Sequence, residues 1–295
     1  MKTTVLIVGA GPAGIAASIQ LQRYGLAPVV LEKESVGGLL RNANLLENYP
    51  GFPNGIPGPK LIALLEGQIE RIGVAVTFDE VVRLDYENEW IIETKQTTYH
   101  PAVVVVASGT KPIAIPLEIP AQARDKVFSE VWPLANVTGR QIVIVGAGDA
   151  AFDYALNLAG RSNKVTILNR GHDISCLSIL WDRVKENPNI TYQEQTGLQE
   201  IEFYPPSKCI RLTTDQCSLM ADYCVFAIGR KPALDFLSEH VKRQEPMLVE
   251  SGKLYFAGDV HNGLFRQAAI AAGEGMRVAM QIFGQVSLQR GQNET

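Results

Sequence analysis

The chain has 295 residues, which is enough for two domains of ordinary size, each with its own core. Hydrophobic residues make up 46% of it and charged residues 20%, a balance that favours a soluble globular fold over a disordered chain. The formal net charge of −4 argues against nucleic acid or an anionic membrane as a partner and leaves small molecules and proteins.

The first predicted element is a strand close to the N-terminus. The short apolar run TVLIVG passes straight into the turn GAGPAG, so it fits a buried parallel strand better than a signal peptide. No stretch approaches the ~18 uninterrupted apolar residues that a membrane span needs. We therefore expect a cytoplasmic protein.

The turn GAGPAG opens a predicted dinucleotide site. A helix, IAASIQLQRYG, follows it, and the next strand, APVVLEK, ends on Glu32, which completes the strand, GxGxxG, helix, strand and acid of the dinucleotide pattern. Gly9 permits the tight turn, Gly11 lets the backbone approach a pyrophosphate, and Gly14 lets the helix pack on the strand. The helix N-terminus faces the phosphates, and Glu32 can accept hydrogen bonds from ribose hydroxyls. The alternative is a glycine-rich turn without a nucleotide.

A second unit repeats this pattern. The strand GRQIVIVG, the turn GAGDAA, the helix AFDYALNLAG and the strand NKVTILNR follow one another, and Ala151 takes the place of the third glycine. Two such units in one chain usually mean two dinucleotides, one permanent and one exchangeable. The strand NKVTILNR ends in Asn169 and Arg170. It offers no acid that could bind both ribose hydroxyls and only one cation that could bind a 2′-phosphate. NADPH and NADH are both possible; Arg170 favours NADPH unless it is a solvated surface residue.

Each predicted nucleotide domain closes with its own buried strand and small-residue turn. The first of these is HPAVVVVASGTKP and the second is ADYCVFAIGRKP. The C-terminal segment reads as a strand, a Gly-Asp, a loop and an alanine-rich helix, and its end, QVSLQRGQNET, is expected to be a frayed tail.

The four cysteines form neither a zinc spacing nor a CxxC redox pair. They are Cys176, Cys209, Cys217 and Cys224, which are scattered. Cys224 lies in the apolar run DYCVFAIG and is predicted to be a buried core thiol.

Further segments match a known family at specific positions. They are Gly37-Gly38, Glu47-Asn48-Tyr49-Pro50-Gly51-Phe52-Pro53, Ala107-Ser108-Gly109, Ala227-Ile228-Gly229, Ala257-Gly258-Asp259-Val260 and Arg266-Gln267-Ala268. With the two turns, these segments make the chain resemble the low-molecular-weight thioredoxin reductase family over nearly its whole length. The resemblance implies an α/β fold with two Rossmann-like (three-layer ββα) dinucleotide-binding domains, the second inserted into the first. It implies an FAD-binding domain over 1–112 and 246–295, an NAD(P)-binding domain over 113–245, and a homodimer.

Carried over position by position, the resemblance names two sets of binding residues. Against FAD it places Gly9, Gly11, Pro12, Ala13, Gly14, Glu32, Lys33, Gly38, Leu39, Asn48, Val81, Ala107, Ser108, Gly109, Gly258, Asp259, Arg266, Gln267 and Ala268. Against NADPH or NADH it places Gly146, Gly148, Asp149, Ala150, Ala151, Asn169, Arg170, Ile228 and Gly229.

Three of the implied FAD contacts have specific roles. Asp259 is expected to bond the ribityl or phosphate part of FAD, and Asn48 to touch the flavin region. The 266–268 segment is expected to present backbone donors to the N1 and O2 edge of the flavin. The alternatives are that Gly-Asp is an ordinary turn and that Asn48 caps the following loop.

The chain departs from the family at its redox-active pair. Members that reduce thioredoxin carry CxxC shortly before the second turn, where this chain has Ser129-Glu130-Val131-Trp132. Serine cannot shuttle electrons as a disulfide does, so thioredoxin reduction by the family's route is excluded unless cysteines reach the flavin from elsewhere. One subgroup, the thioredoxin-reductase-like ferredoxin/flavodoxin–NADP reductases, naturally lacks the pair and shares the Asp153-Tyr154-Ala155 helix. The segment GLFRQAAIAAG, however, resembles the disulfide reductases.

Two more departures concern the cofactors. NADPH-using relatives have a histidine and two arginines after the second strand and a third arginine further on, whereas this chain has Asn169, Arg170, Gly171 and Ser175. Leu39 stands where the reductases usually place a glutamine near the flavin.

We therefore predict an FAD-dependent NAD(P)H oxidoreductase without a metal. Hydride would pass from nicotinamide C4 to flavin N5, and the reduced flavin would supply an external acceptor: a ferredoxin- or flavodoxin-like carrier, a quinone or a partner disulfide. Because the cofactors carry the chemistry, no catalytic residue is assigned. The alternatives are a redox sensor that binds FAD and nucleotide without turnover, and a nicotinamide-independent flavoenzyme linked to ferredoxin.

Overall fold

The computed structural model describes residues 5–293, which form two compact units. Unit 1 takes in the described residues up to Arg41, then Leu46–Lys111, and the chain from Lys231 on; unit 2 comprises Asn42–Leu45 and Pro112–Arg230. Within the described range, no helix has both the length and the apolar character needed to cross a membrane.

Helices separate some of the strands, whereas the strands within residues 76–145 and within residues 190–232 follow one another without an α-helix between them. The helices are α1 (Pro12–Arg23), α2 (Gly58–Ile72), α3 (Asp149–Ala159), α4 (Ser178–Glu186), α5 (Glu239–Glu250) and α6 (Ala268–Asn293). The strands are β1 (Val5–Val8), β2 (Val29–Glu32), β3 (Val76–Phe78), β4 (Val81–Tyr86), β5 (Trp90–Thr94), β6 (Thr98–Tyr99), β7 (Val103–Val106), β8 (Thr110–Pro112), β9 (Val127–Phe128), β10 (Gln141–Val145), β11 (Lys164–Leu168), β12 (Ile190–Gln193), β13 (Leu198–Tyr204), β14 (Cys209–Thr214), β15 (Ser218–Ala221), β16 (Tyr223–Phe226), β17 (Arg230–Pro232) and β18 (Leu254–Phe256).

Unit 1 is built on a five-stranded parallel sheet in the order β18-β7-β1-β2-β3. The runs VLIV of β1 and VVVV of β7 are buried along their whole length, as expected for a sheet covered on both faces. Ile7 and Val105 pack with α1 and α6, whereas Leu6 and Val104 pack with the antiparallel sheet β4-β5-β6 and α5. Successive side chains of each strand point to opposite faces of the parallel sheet, which therefore lies between a helical layer and the antiparallel sheet as the middle of three layers.

Unit 2 repeats the plan. Its parallel sheet has the order β12-β11-β10-β16-β9, and the antiparallel sheet β13-β14-β15 accompanies it. Ile144 packs with α3 and α4, whereas Val143 packs against the antiparallel strands. Two units of this kind confirm the predicted α/β fold class.

The boundary where the chain returns to unit 1 differs from the sequence expectation. The return lies between Arg230 and Lys231, whereas the sequence placed it near residue 246, inside α5. Val241 and Leu248 of α5 are fully buried in the core of unit 1, so the whole helix belongs there. The expected boundary near residue 246 was implied by the family resemblance and not by any element in this part of the sequence.

The expected frayed tail is also corrected. Helix α6 continues to Asn293, and Val286 is buried in the core of unit 1. Gln285 accepts a hydrogen bond from the Tyr255 hydroxyl at 2.8 Å and donates one to the Ser251 carbonyl at 3.0 Å. These contacts hold α6 at the first two residues of the expected tail, and the last two, 294 and 295, lie outside the described residues.

A buried carboxylate joins β4 to the start of α5. Asp85 accepts hydrogen bonds from the Ser238 hydroxyl at 2.7 Å and from the Tyr86 N–H at 2.9 Å, and it pairs with Arg83. Ser238 is also the N-cap of α5, since its Oγ accepts from the Val241 N–H at 3.1 Å. Burial alone would raise the pKa of Asp85, but these hydrogen bonds and the nearby cations outweigh burial and lower it.

The first prediction is that Asp85 stabilises the fold only in its ionised form. Because its folded pKa is lowered, its contribution is present above the unfolded value of about 3.9 and is lost as the pH falls through the folded pKa. We expect Asp85→Asn to reduce the free energy of unfolding by about 1–3 kcal/mol at pH 7. Urea unfolding at pH 7 and at pH about 3 measures this, and a difference between wild type and variant that does not shrink in acid would contradict it.

Candidate dinucleotide sites

The turn after β1 has the close backbone contacts that the GxGxxG pattern requires. The Gly9 N–H donates to the Leu31 carbonyl at 2.8 Å, and the φ of Gly9 is +106°. A Cβ at Gly9 would collide with the Ala107 carbonyl oxygen, and a Cβ at Gly14 would collide with the carbonyl oxygen of Gly9. Both positions therefore require glycine for packing alone.

Helix α1 leaves its N-terminus open. Gly11 is the N-cap, Pro12 is the first helical residue, and no acidic residue lies in the first turn. Among residues 5–293, nothing lies within 4 Å of a Cβ built at Gly11. The end of the helix thus offers N–H groups and free space, which suit a phosphate.

Glu32 stands at the end of β2, next to this turn. It is 8% exposed, and its two oxygens accept hydrogen bonds from the Ala10 N–H at 2.8 Å and from the Glu34 N–H at 3.0 Å. A carboxylate has about four lone-pair sites, so two remain for ribose hydroxyls. Glu32 shapes the turn as well as offering acceptors, while Lys33 beside it is exposed.

The predicted Gly37-Gly38 segment lies against the same turn. The Gly37 N–H donates to the Ala10 carbonyl at 2.8 Å. A Cβ at Gly38 would lie 3.3 Å from Gly11 Cα. Leu39, next in the chain, is partly exposed.

The segment directly after β7 also reaches the turn, and the hydroxyl of Ser108 in this segment already donates a hydrogen bond within the protein. The Ala107 N–H donates to the Val8 carbonyl at 2.9 Å, and Ser108 Oγ donates to the Ala233 carbonyl at 2.8 Å. The Ala233 N–H in turn donates to the Gly109 carbonyl at 3.0 Å. This segment therefore binds the chain just after β17 as well as bordering the turn.

Val81, which was also predicted to contact FAD, is buried in the core of unit 1 at the start of β4.

The Gly-Asp segment after β18 packs on α1. A Cβ at Gly258 would lie 2.9 Å from the Cβ of Ala13, and the φ of Gly258 is +80°. The Gly258 N–H donates to Glu274 Oε2 at 2.7 Å, and Asn262 Nδ2 donates to the same oxygen at 2.9 Å. Glu274 thus holds the segment that presents Asp259, and the sequence analysis missed it; the signal was a single acid in an alanine-rich helix.

The start of α6 brings two predicted residues together. Asn48 Nδ2 donates to Gln267 Oε1 at 2.9 Å, and α6 begins at Ala268, directly after Arg266 and Gln267. Asn48 thus contacts the segment predicted to face the flavin instead of only capping its own loop.

These observations fit FAD in unit 1. The ends of β1, β2, β7 and β18 meet at one edge of the sheet, where an open helix N-terminus lies beside a carboxylate with spare acceptor sites. A pyrophosphate suits the first feature and an adenosine ribose suits the second.

The second turn repeats the geometry in unit 2. The Gly146 N–H donates to the Leu168 carbonyl at 3.0 Å, as Gly9 does to Leu31, and a Cβ at Gly146 would collide with the Ala227 carbonyl oxygen. Gly148 is the N-cap of α3. Ala150 is exposed and Ala151 fully buried, which agrees with close helix packing at the third position of the pattern.

A loop lies over this second turn. Ser175 donates through its N–H to the Ala147 carbonyl at 3.1 Å, and Asp149 Oδ1 accepts from the Leu177 N–H at 2.7 Å. The predicted nucleotide residue Asp149 therefore holds the loop in place. At the same end of the parallel sheet, after the neighbouring strand β16, the Gly229 carbonyl accepts from the Ile113 N–H at 3.1 Å, next to Ile228.

Asn169 is buried, and its amide is used inside the protein. It is 6% exposed; Nδ2 donates to the Asp173 carbonyl at 3.0 Å and to the Tyr192 hydroxyl at 2.9 Å, and Oδ1 accepts from the Gly171 N–H at 3.0 Å. Arg170 beside it is exposed. Asn169 therefore shapes the loop, and Arg170 is the residue of this pair that reaches solvent.

In unit 2, the segment that the sequence analysis placed at the position of a cysteine pair holds an ion pair. Glu130 Oε1 lies 2.7 Å from Arg230 Nη1, and both side chains are 20% exposed. Glu130 Oε2 accepts from Asn42 Nδ2, and Asn42 Oδ1 accepts from the Trp132 N–H at 3.1 Å. The sequence analysis missed Asn42 and Arg230; the only signal was that Arg230 directly follows the matched Ala227-Ile228-Gly229.

The same loop is held by the Asp153-Tyr154-Ala155 helix. The Asn44 N–H donates to Asp153 Oδ2 at 2.9 Å. Tyr154 is buried, and its burial together with the Glu130 carboxylate raises the pKa of its hydroxyl. Asp153 and Glu130 thus each bind one end of the short segment Asn42–Leu45.

All four cysteines are free thiols, and they differ in burial. Cys224 is fully buried, which confirms the predicted core thiol, and burial raises its pKa. Burial and then the Asp149 carboxylate raise the pKa of Cys176, which is partly buried. Cys209 is buried and Cys217 is exposed.

Comparisons with known proteins agree with this geometry. The family model described as pyridine nucleotide-disulphide oxidoreductase matches residues 3–275. The chain is 30% identical over 304 residues to thioredoxin reductase from Rickettsia bellii, covering 95% of this chain and 97% of that protein. It is 28% identical to the bifunctional thioredoxin reductase/thioredoxin of Mycobacterium leprae, covering 94% of this chain and 64% of that longer protein. The crystal structure of T. acidophilum thioredoxin reductase superimposes with a TM-score of 0.81 at 25% identity, over 96% of this chain and 98% of that chain.

Proposed function

The chain belongs to the pyridine nucleotide-disulphide oxidoreductase family, and from this premise we propose that it passes electrons from reduced flavin directly to an external acceptor. It is a thioredoxin reductase-like, FAD-dependent pyridine nucleotide oxidoreductase, and enzymes of this kind use FAD and NADPH. One observation carries the proposal: the Ser129–Trp132 segment, where the reductases hold their cysteine pair, has no thiol.

The residues of unit 1 have binding and orienting roles in this proposal. The N–H groups at the start of α1 would hold the pyrophosphate, Glu32 the ribose, and the start of α6 the pyrimidine edge of the flavin. When bound, FAD supplies the redox chemistry, accepting a hydride from a nicotinamide and releasing electrons. In unit 2, the start of α3 would hold the pyrophosphate of the nicotinamide nucleotide.

Two of the thiols, Cys176 and Cys224, support direct transfer because they do not resemble an activated cysteine. A reactive cysteine usually has a lowered pKa and a cationic neighbour. The pKa of Cys176 is instead raised by burial and by Asp149, and Cys224 is fully buried. The Glu130–Arg230 ion pair holds the segment that would otherwise carry the pair.

For the acceptor we propose a small ferredoxin- or flavodoxin-like carrier first, then a quinone or a partner disulfide. A homodimer and a cytoplasmic location accompany this proposal, and light scattering of the purified protein measures the first.

The direct test is anaerobic mixing of the purified flavoprotein with NADH and, separately, with NADPH. Bleaching of the visible flavin band within seconds, followed by reoxidation with flavodoxin, ferredoxin or a quinone, is the expected result. No bleaching with either coenzyme would overturn the proposal: reduction by reduced ferredoxin alone would then favour the nicotinamide-independent enzyme, and no reduction would favour the sensor.

The second prediction concerns the thiols. We expect the triple variant Cys176→Ser, Cys209→Ala and Cys217→Ser to reduce the acceptor at a rate within about twofold of wild type, because no thiol lies on the electron path. Steady-state acceptor reduction measures this. A loss of acceptor reduction with flavin bleaching intact would show a thiol relay and would exclude direct transfer.

A further inference from the structure

We propose that the second nucleotide site selects NADH over NADPH, because exposed carboxylates lie on the segments that flank Arg170 at the position expected for the adenosine ribose. This inference rests on the proposed function and adds the identity of its electron donor. The residues that carry it are Arg170, Asp173, Glu194 and Asp215, all in unit 2.

The ribose position follows from a correspondence between the two turns. Gly9 donates to the carbonyl of Leu31, and the next residue is the ribose carboxylate Glu32; Gly146 donates in the same way to Leu168, and the next residue is Asn169. In dinucleotide folds this strand end lies beside the 2′-oxygen, which an acid recognises in NAD and an arginine in NADP. The 2′ position of the second nucleotide therefore lies at Asn169 to Gly171.

The strand end is flanked by a neighbouring segment that carries an acid. The Thr196 N–H donates to the Asn169 carbonyl at 2.8 Å, and the Gln195 N–H donates to the Gly171 carbonyl at 3.0 Å. Glu194, next to them, is exposed, and its Oε2 lies 3.9 Å from Nδ1 of His172. This segment thus brings one carboxylate alongside the strand end.

A second carboxylate reaches the same place from the turn after β14. The Gly197 N–H donates to Asp215 Oδ1 at 3.0 Å. A Cβ at Gly197 would lie 3.1 Å from Asp215 Oδ2 and 3.8 Å from the Cβ of Arg170. Asp215 and the stem of Arg170 therefore lie on the same side of Gly197.

The charge balance at this strand end opposes a 2′-phosphate. Asp173, Glu194 and Asp215 are exposed carboxylates on the strand-end loop and on the two segments that flank it, where the cationic groups are the guanidinium of Arg170 and, when protonated, the imidazole of His172. A phosphate monoester adds about −1.5 to −2 charges at pH 7, so it is repelled by the three carboxylates, and Arg170 alone cannot compensate. Ribose hydroxyls carry no charge and do not meet this repulsion.

The test measures binding of nucleotide fragments to the holoprotein, separately from turnover. Calorimetric titration with ADP-ribose and with 2′-phospho-ADP-ribose should show at least about tenfold tighter binding of the former, and the KM for NADH in flavin bleaching should be lower than that for NADPH. Equal or tighter binding of the phosphorylated fragment would overturn the inference and leave the proposed function intact. Failure of both fragments to bind would overturn the inference together with the nucleotide role of unit 2.

Two sets of variants assign the selectivity to these residues. Gly171 has no positive φ, and a Cβ there would lie 3.9 Å from Asn169 Oδ1, so Gly171→Arg should fold and add a second cation. We expect it to tighten binding of 2′-phospho-ADP-ribose several-fold with little effect on ADP-ribose. The double variant Glu194→Gln with Asp215→Asn should also reduce the difference in affinity between the two fragments, because it removes two negative charges. The loop should keep its structure, since the asparagine can still accept from the N–H of Gly197.

The matched control is Asp125→Asn, which removes an exposed carboxylate elsewhere in unit 2. It should leave the ratio of the two affinities unchanged. If Asp125→Asn reduces the difference in affinity between the two fragments as much as the double variant does, the selectivity reflects net charge alone. The assignment to Glu194 and Asp215 is then wrong.

Discussion

Gly11→Val is expected to give a folded protein that does not retain flavin. Nothing described within 4 Å would meet the new Cβ, and the φ of −76° and ψ of −177° at Gly11 suit a β-branched residue. The valine would instead occupy the space in front of the α1 N-terminus, where the pyrophosphate is proposed to bind. We expect the flavin content of the purified protein, measured by its visible absorbance, to fall by more than about tenfold, with an unchanged circular dichroism spectrum.

Two other glycines provide the controls for this experiment. Gly14→Val should fail to fold, because its side chain would collide with the backbone of Gly9. Gly67→Val lies on an exposed turn of α2 with open space around it and should keep its flavin. A Gly11→Val protein that is folded and fully yellow would place the pyrophosphate elsewhere.

The parts of the site that could be predicted from the sequence are those fixed by local backbone geometry. Gly9, Gly14 and Gly146 are needed because a side chain would strike a neighbouring backbone, and such positions leave a fixed spacing in the sequence. Glu32 follows the same logic, since the end of β2 must lie beside the turn. The fold class follows from the two repeated units, because each contains a buried β-branched strand before its turn.

The contacts between distant segments could not be predicted in this way. Glu274 holds the segment at Gly258, and Gly275 lets α6 approach α1 so closely that a Cβ would meet the Ala13 carbonyl. Both depend on how α6 packs on α1, for which one sequence offers no spacing rule. The early return to unit 1 has the same cause, since α5 is assigned by the burial of Val241 and Leu248 in the core of unit 1.

The role of Asn169 shows a different limit. Its position at the end of β11 was predicted correctly, but a polar residue at a strand end can face a ligand or its own loop. Its amide bonds to Asp173 and Tyr192, and only the folded loop reveals this choice. Selectivity therefore shifts to residues such as Glu194 and Asp215, which belong to later segments of the chain.

Arg230→Ala is expected to destabilise unit 2 strongly, because it leaves the Glu130 carboxylate without its cation in a largely buried setting. Both side chains are only 20% exposed, and breaking such a pair from one side costs about 2–4 kcal/mol in the free energy of unfolding. Urea unfolding followed by circular dichroism measures the loss. The double variant Glu130→Gln with Arg230→Ala should recover part of this loss, because glutamine is neutral and can still accept from Asn42.

The control is Lys164→Ala, which removes an exposed cation from the same unit and should cost less than about 0.5 kcal/mol. If Arg230→Ala costs no more than this control, the segment at the family's cysteine position is held by its apolar contacts, such as those of buried Val131 and Leu134, and not by the ion pair.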